Sequence, residues 1–208
     1  MIPVETAVPF FIASLLLGLA PGPDNLFVLT QSVINGRASG LLVVLGLCSG
    51  LVVHTTAVAL GVAVIFQTSD AAFTLLKVAG VCYLLYLAWS SFRFRPREIG
   101  HPRRGSGEGK RAGLYGRGII MNVTNPKVSL FFLAFLPHFA DPARGSMAVQ
   151  MITLGGLFIL ATVIVFGSIA VFGGTLGERL KGSEKTQLIL NRMAGVIFIA
   201  LAVTLVIN

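Results

Sequence analysis

The sequence predicts an all-α integral membrane protein with six transmembrane helices, arranged as two inverted repeats of three, in which the first and fourth spans are broken at prolines. Of the 208 residues, 55% are hydrophobic and 12% are charged, and the mean hydropathy is +0.86. Soluble domains carry about a quarter charged residues. The composition therefore indicates a lipid-facing perimeter, and the apolar segments and paired proline breaks indicate how its helices are organised.

Six segments are long enough to cross a bilayer as helices. A hydrocarbon core of ~30 Å needs roughly 20 apolar residues in helix. By this measure the predicted spans are approximately 6–32, 40–66, 73–92, 114–137, 147–172 and 190–207. The first segment has Glu5 and no Lys or Arg before its apolar run, so we interpret it as a span and not as a signal peptide.

The positive charges predict the orientation. Of the 16 Lys and Arg residues, all except Lys77, Lys127 and Arg144 fall in or beside the loops that follow spans one, three and five. The positive-inside rule then predicts that both termini lie outside and that the long loop 93–113 is cytoplasmic. Because the basic residues separate apolar segments, the net charge of +8 does not indicate a nucleic-acid partner.

The loop 93–113 divides the chain into a first three-span repeat, 1–92, and a second, 114–208. The loop is rich in Gly, Pro and charge, as a flexible linker is, and a basic patch for lipid headgroups is the alternative. Three features recur in the same order in both halves. They are a proline break, a glycine in the next span (Gly46 and Gly155) and an Ala-Gly-Val triplet in the last span (around Gly80 and Gly195). An odd number of spans per repeat inverts the second copy, as in many secondary transporters.

The proline breaks predict the binding site of such a transporter. A proline removes one amide donor and frees the carbonyl four residues earlier, and hydrocarbon supplies no replacement partner. Paired breaks in the two halves are therefore typical of the place where substrate and coupling ions bind. The candidate residues are Pro21, Gly22, Pro23, Asp24 and Asn25 in span one, and Asn122, Asn125, Pro126 and Lys127 in span four.

Asp24 has two interpretations. A helix can restart after Pro23, and Asp24 or Asn25 can cap its N-terminus. Alternatively, the positive end of the restarted helix binds a carboxylate, while Asp24 attracts an ammonium group or carries a proton. Burying a charge at the bilayer centre costs ~2.5–3.5 kcal/mol on insertion scales, which favours the functional interpretation.

The residues at the second break also have structural and functional interpretations. Pro126 frees the carbonyl of Asn122, and local repair of this kink by an Asn side chain explains Asn122 best. Lys127 lies about ten residues from both ends of its span, too deep to reach the interface easily. We expect it to face a cavity, where it pairs with Asp24 or meets a substrate carboxylate.

Glycines on the helix faces predict close packing. Gly46, Gly50 and His54 recur every four residues and share one face. His54 either hydrogen-bonds across this interface or relays protons. Gly80 and Gly195 are predicted packing positions in the third spans, and two glycine pairs, Gly36/Gly40 and Gly173/Gly177, permit a homodimer.

Other residues have ordinary roles. Tyr83, Tyr86 and Trp89 are expected to form an interfacial aromatic belt. Cys48 and Cys82 lie in apolar segments without a Cys/His spacing that would indicate a metal site, so neither a metal nor a cofactor is expected.

Four segments together resemble the LysE/RhtB family of amino-acid exporters. They are PGPDNLFVLTQ, GLCSGLVVH, LLKVAGVCYLLYLAW and NVTNPKVSLFFLAFLPHF, and the resemblance covers nearly the whole chain. It implies a six-span protein of the inner membrane that expels amino acids such as lysine, homoserine, threonine or leucine, nearest the homoserine/threonine branch. The wider superfamily includes cation exchangers with acidic motifs in spans one and four. The lone Asp24 and the basic Lys127 argue against transport of divalent cations.

Two further functional classes compete with a secondary-active exporter. No GxxxxGK[ST] phosphate loop is present, so the proton motive force would drive export, by alternating access of the two repeats. A membrane-embedded enzyme would need clustered nucleophiles, bases or metal ligands. The deep ionisable groups Asp24, His54 and Lys127 are too sparse for that chemistry, and a structural subunit would not explain the paired breaks.

Overall fold

A computed structural model describes residues 2–20, 22–68, 70–94, 111–181 and 184–207, and within these ranges all regular secondary structure is helical. Pro21 and residues 95–110 of the predicted linker lie outside the described residues. The α-helices are α1 (Val4–Leu19), α2 (Pro23–Asn35), α3 (Arg37–Thr68), α4 (Asp70–Phe92), α5 (Arg111–Val123), α6 (Pro126–Leu130), α7 (Met147–Lys181) and α8 (Glu184–Ile207).

The helix α6 continues directly into a π-helix, Phe131–Phe135, and then into a 3₁₀-helix, Leu136–Phe139. A second 3₁₀ turn, Pro142–Arg144, precedes α7. Of the six apolar segments predicted from the sequence, 40–66, 73–92, 147–172 and 190–207 each lie within one helix, whereas 6–32 and 114–137 are interrupted at the predicted breaks.

Several helices are suited to a membrane by length and composition. Among the described residues, Arg37–Gly61 and Met147–Gly173 are each long and apolar enough to cross a bilayer. Two bent pairs, α1 with α2 and Gly113–Val123 with Pro126–Phe139, also qualify if each pair is one span, which makes two to four candidate spans. The apolar stretches in α4 and α8 are shorter. The fold is therefore that of a helical, multi-pass membrane protein.

The bends lie at the predicted breaks. The axes turn by 62° between α1 and α2 and by 48° between Gly113–Val123 and Pro126–Phe139. Pro23 and Pro126 each stand in the first turn of the helix that follows the break. A proline there has the required φ, and its missing N–H removes no helical hydrogen bond. Each break therefore ends one helix and starts another.

The helices pack across the two halves of the chain. The helix α3 packs against α5 and α7, α4 packs against α8, and α7 also contacts α1 and α2. Two apolar clusters fill the interior. The larger is built around buried side chains such as Phe10, Leu51, Phe132, Met151 and Leu154. The smaller includes Val28, Val43, Leu47 and Phe166.

Glycines allow the contact between α3 and α5. A Cβ atom on Gly46 would overlap the carbonyl oxygen of Tyr115 and lie 2.9 Å from the Cα atom of Gly118. One added to Gly50 would lie 2.6 Å from Oδ1 of Asn122. No larger residue fits at such separations, so the two helices approach as closely as small residues permit.

Gly80 and Gly195 lie at other close contacts. A Cβ on Gly80 would overlap that of Ala134, and one on Gly195 would lie 2.8 Å from the Phe92 ring. Of the glycine pairs predicted to permit a homodimer, Gly36/Gly40 and Gly173/Gly177, two members, Gly40 and Gly173, are buried within the chain against Ser32 and bring α2, α3 and α7 together. The homodimer stays a prediction.

Candidate functional site

The two breaks meet inside the protein through Asn125. The Asp24 side chain is buried, with 4% of the residue surface exposed. Asn125 Nδ2 donates a hydrogen bond of 2.7 Å to Asp24 Oδ2, and Asn125 Oδ1 accepts one of 3.0 Å from the backbone N–H of Lys127. One amide side chain therefore caps α6 and also holds the carboxylate of the other half of the chain.

Asp24 does not cap α2. The N-cap residue is Gly22, in an extended conformation, and no side-chain hydrogen bond caps this helix end. The Asn25 side chain is also engaged elsewhere, because its Nδ2 donates to the carbonyl oxygen of Gly18 at 2.8 Å. The first amides of α2 thus have neither an intrahelical acceptor nor a side-chain cap.

Lys127 lies at the C-terminal end of α1. Its Nζ donates to the carbonyl oxygens of Leu17, at 3.4 Å, and Ala20, at 3.3 Å. The carbonyl of Leu17 needs such a partner because residue 21 is a proline and has no N–H. A cation is also favoured there by the negative end of the helix dipole. Both bonds are longer than the usual 2.7–3.2 Å, so they are weak.

The direct pairing of Lys127 with Asp24 that the sequence suggested is absent. The ion pair between described residues is Arg144 with Asp141, in the loop before α7. Asp24 instead accepts a hydrogen bond from the Asn125 side chain, and the Lys127 ammonium donates to carbonyl oxygens of Leu17 and Ala20. The two charges are close but not mutually neutralised by contact.

The Lys127 ammonium also lies beside the start of α2. A Cβ on Gly22 would be 3.3 Å from Lys127 Nζ and 3.6 Å from Asn25 Oδ1. The uncapped helix N-terminus carries partial positive charge, and the ammonium adds a full one. This combination favours an anionic group such as a carboxylate.

His54 joins the second break to α3. Its Nε2 lies 3.2 Å from the carbonyl oxygen of Asn122, the group that Pro126 frees. The same oxygen accepts from the Asn125 backbone N–H at 3.1 Å. The predicted repair by an Asn side chain is therefore wrong for Asn122, and the cross-helix hydrogen bond predicted for His54 is present. The His54 ring also packs on Phe132, with centroids 5.6 Å apart.

Three buried oxygen atoms around the breaks have no hydrogen-bond partner in the part of the chain that the structure describes. They are Oδ1 of Asp24, Oδ1 of Asn25 and Oδ1 of Asn122. A buried acceptor without a donor costs about 1–3 kcal/mol. The two amide oxygens can only accept, and so can Asp24 Oδ1 while the carboxyl group is ionised, so a ligand that satisfies them must donate, as an ammonium group does.

A small cavity adjoins Lys127. Its walls come from α1, α4, α6 and the π-helix, and Lys127 is its one charged lining residue. Its volume of about 10 Å³ is close to the space that one water molecule needs. This cavity therefore has no room for an amino acid in the described conformation.

Sequence reasoning missed the contribution of α4 and of the π-helix. Tyr83 was expected in an interfacial belt, but it lines the cavity with Leu84. Trp89, by contrast, is exposed and lies 4.5 Å from the Arg93 guanidinium, as an interfacial residue would. The available signal was Gly80, whose lack of a side chain brings α4 against Ala134 of the π-helix.

Comparisons with known proteins show the family of the chain. The family described as LysE type translocator matches residues 15–208. Two relatives, from Salmonella typhimurium and Salmonella typhi, are each named homoserine/homoserine lactone efflux protein. Each is 30% identical over 189 residues, which are 91% of this chain and 90% of the relative. No solved structure matches. The chain belongs to the LysE type translocator family and is a membrane transporter, not an enzyme.

Proposed function

We propose that the protein is a secondary-active exporter of α-amino acids of the homoserine/threonine, lysine or other neutral or basic type. The observation that carries this proposal is the presence of buried groups of opposite charge at the two breaks. The Lys127 ammonium lies at the uncapped start of α2, and the Asp24 carboxylate is held by Asn125, the residue that caps the Lys127 backbone N–H. The name of the two relatives, homoserine/homoserine lactone efflux protein, supports an amino-acid substrate.

The two charges suit the two ends of a zwitterion. The substrate carboxylate binds Lys127 and the first amides of α2, exchanging for the long bonds that Lys127 makes to Leu17 and Ala20. A charge-assisted hydrogen bond to a carboxylate is stronger than a bond to a neutral carbonyl. The substrate ammonium then donates to Asp24 Oδ1, which lacks a partner in the closed state.

The transport architecture is six spans in two inverted repeats, 1–92 and 114–208, joined by the linker 93–113. The spans are α1 with α2, α3, α4, α5 to Phe139, α7, and α8. The helix contacts support this symmetry. Taken span by span, exchanging the repeats turns the contact of span two with span four (α3–α5) into that of span five with span one (α7 with α1 and α2). It turns the contact of span one with span six (α1–α8) into that of span four with span three (the π-helix with α4). The α3–α7 and α4–α8 contacts map onto themselves.

The energy source is the proton gradient, and Asp24 is the proton carrier. The ionised carboxylate binds the substrate ammonium on the cytoplasmic side. On the outer side a proton displaces the ammonium, and the neutral carboxyl group then returns. One amino acid leaves as one proton enters, while rocking of the two repeats exposes the site alternately. The transporter would reside in the inner membrane, with both termini outside.

Efflux from proteoliposomes tests the proposal. Purified protein, reconstituted with labelled homoserine, threonine or lysine inside the vesicles, should release label into excess unlabelled amino acid outside. An imposed proton gradient should drive uphill movement, and an ionophore that abolishes the gradient should stop it. Protein-dependent flux of none of these amino acids, nor of any other in a panel of the twenty common ones, would refute export of amino acids. Flux that does not depend on the proton gradient would refute proton coupling but not export of amino acids.

A further inference from the structure

We infer that the cavity beside Lys127 is the closed form of a subsite for the substrate side chain, and that it selects amino acids with an aliphatic side chain. The inference rests on the proposed function and narrows its substrate class. It depends on three features: the position of Lys127, the chemistry of the walls and the π-helix that forms one of them.

Lys127 connects the cavity to the carboxylate site. Its side chain lines the cavity, and its ammonium lies beside Gly22 at the start of α2. A ligand whose carboxylate binds this ammonium therefore has its remaining atoms next to the cavity. Asp24 is not part of the lining, so the substrate ammonium and the substrate side chain leave the α-carbon toward different groups.

The walls are apolar except at two residues. Leu17, Leu84 and Phe131 are buried and supply hydrocarbon surface. Besides Lys127, the phenol of Tyr83 carries the one polar side-chain atom among the lining residues. A hydroxyl or ammonium side chain would lose its hydration there, whereas each CH₂ group of an aliphatic chain gains roughly fourfold in affinity on burial.

The π-helix gives the cavity a wall that can move. Phe131, Ala134 and Phe135 of the π-helix Phe131–Phe135 line it. A π-helical turn holds one residue more than an α-helical turn and is rare outside functional sites. Conversion of this segment to α-helix on substrate binding would shift these side chains and enlarge the space of about 10 Å³.

Competition against a transported label tests the selectivity. In counterflow with reconstituted full-length protein, leucine and methionine should compete at least about tenfold better than homoserine, threonine or lysine. A Tyr83→Phe variant should keep this order, because the aliphatic chain does not use the phenol. Preference for homoserine or threonine over leucine, with transport intact, would overturn the subsite and leave the proposed function standing. Absence of any amino-acid flux would instead count against the proposed function.

A matched pair of variants tests the location. Leu84 lines the cavity and is 4% exposed, whereas its neighbour Leu85 is 47% exposed. Leu84→Phe fills the subsite, so it should raise KM for leucine at least about tenfold but KM for alanine less than about twofold. The control variant Leu85→Phe should change neither KM. Equal effects of Leu84→Phe on leucine and alanine would overturn the assignment. If Leu84→Phe does not fold, Leu84→Ala provides a second readout. Because this change enlarges the subsite, the preference of the transporter should shift toward phenylalanine. An unchanged preference would contradict the location of the subsite.

Discussion

Residues at the two breaks stabilise the fold and also form the proposed ligand site. Lys127 satisfies carbonyl oxygens at the end of α1, and Asn125 caps α6 while holding Asp24. The hydrogen-bond partners of both charged groups are neutral, an amide for Asp24 and two carbonyl oxygens for Lys127, so neither charge is neutralised by a direct contact. Buried charges that lack such a partner are expensive, and in membrane proteins they mark substrate or proton pathways. The site therefore contains buried polar groups that the described part of the chain does not satisfy by hydrogen bonds.

Asp24→Asn should abolish most export without unfolding the protein. An amide oxygen at this position still accepts from Asn125, but it offers the substrate ammonium no negative charge. Loss of a charged hydrogen bond of about 1.5–3 kcal/mol predicts a fall in kcat/KM of roughly 10–100-fold. Initial rates of counterflow measure this. Glu5→Gln, the same change on an exposed residue of α1, should keep the normal rate, and full export by Asp24→Asn would refute the role of the charge.

His54→Gln should retain export within about threefold of the natural protein. For the observed contact with the Asn122 carbonyl, His54 Nε2 must carry the proton, and a glutamine amide can donate in its place. His54→Leu lacks this donor and should lose about 0.5–1.5 kcal/mol of stability. Thermal unfolding in detergent and counterflow rates distinguish the two effects. A stable His54→Gln protein that has lost proton-driven transport would show that His54 relays protons.

At the scale of the elements, local chemistry decides what the sequence can predict. The breaks were predictable because proline has the same effect on any helix. Their repair was not, because the donor to Leu17 lies 110 residues away at Lys127 and its choice depends on tertiary packing. The π-helix was equally hidden, since Phe-Phe-Leu-Ala-Phe has the composition of an ordinary apolar helix. Gly46, Gly50 and Gly80 indicated tight contacts without identifying the partner helices.

Adjacent glycines in α7 test the importance of these contacts. A Cβ on Gly155 would overlap the Thr55 side chain of α3, whereas one on Gly156 meets no atom within 4 Å. Rotation of Thr55 would not relieve the overlap, because its Cβ would also lie within 2.9 Å. Gly155→Ala should therefore cost about 1–3 kcal/mol. Gly156→Ala should be neutral or slightly stabilising, since alanine favours helix.

Thermal unfolding of both variants in the same detergent gives the comparison. We expect a lower Tm for Gly155→Ala and an unchanged or higher Tm for Gly156→Ala. Equal Tm values would mean that α3 and α7 separate without cost, and that their contact does not hold the two halves together.

At the scale of the whole molecule, the sequence predicts the class of protein but not how its two halves pack together. Composition and apolar length were sufficient to predict a helical membrane protein, and the recurring proline and glycine positions were sufficient to suggest two related halves. The sequence could not reveal that Asn125 bonds both the Asp24 side chain and the Lys127 backbone, or that α4 lines the cavity beside Lys127. Both features depend on how the halves pack, and a small polar side chain has no local signature for such a role.

Cysteine labelling tests the orientation on which inverted repeats and a cytoplasmic linker depend. In a background with Cys48→Ala and Cys82→Ala, single cysteines replace the exposed Ser146, before α7, and the exposed Lys185, at the start of α8. These positions flank one long apolar helix, so a single crossing by α7 puts them on opposite sides. The excess of Lys and Arg after span five predicts that residue 185 is cytoplasmic. A membrane-impermeant maleimide should therefore label Ser146→Cys in intact cells, and Lys185→Cys after permeabilisation only. The reverse pattern would invert the topology, and labelling of both in intact cells would mean that α7 does not cross.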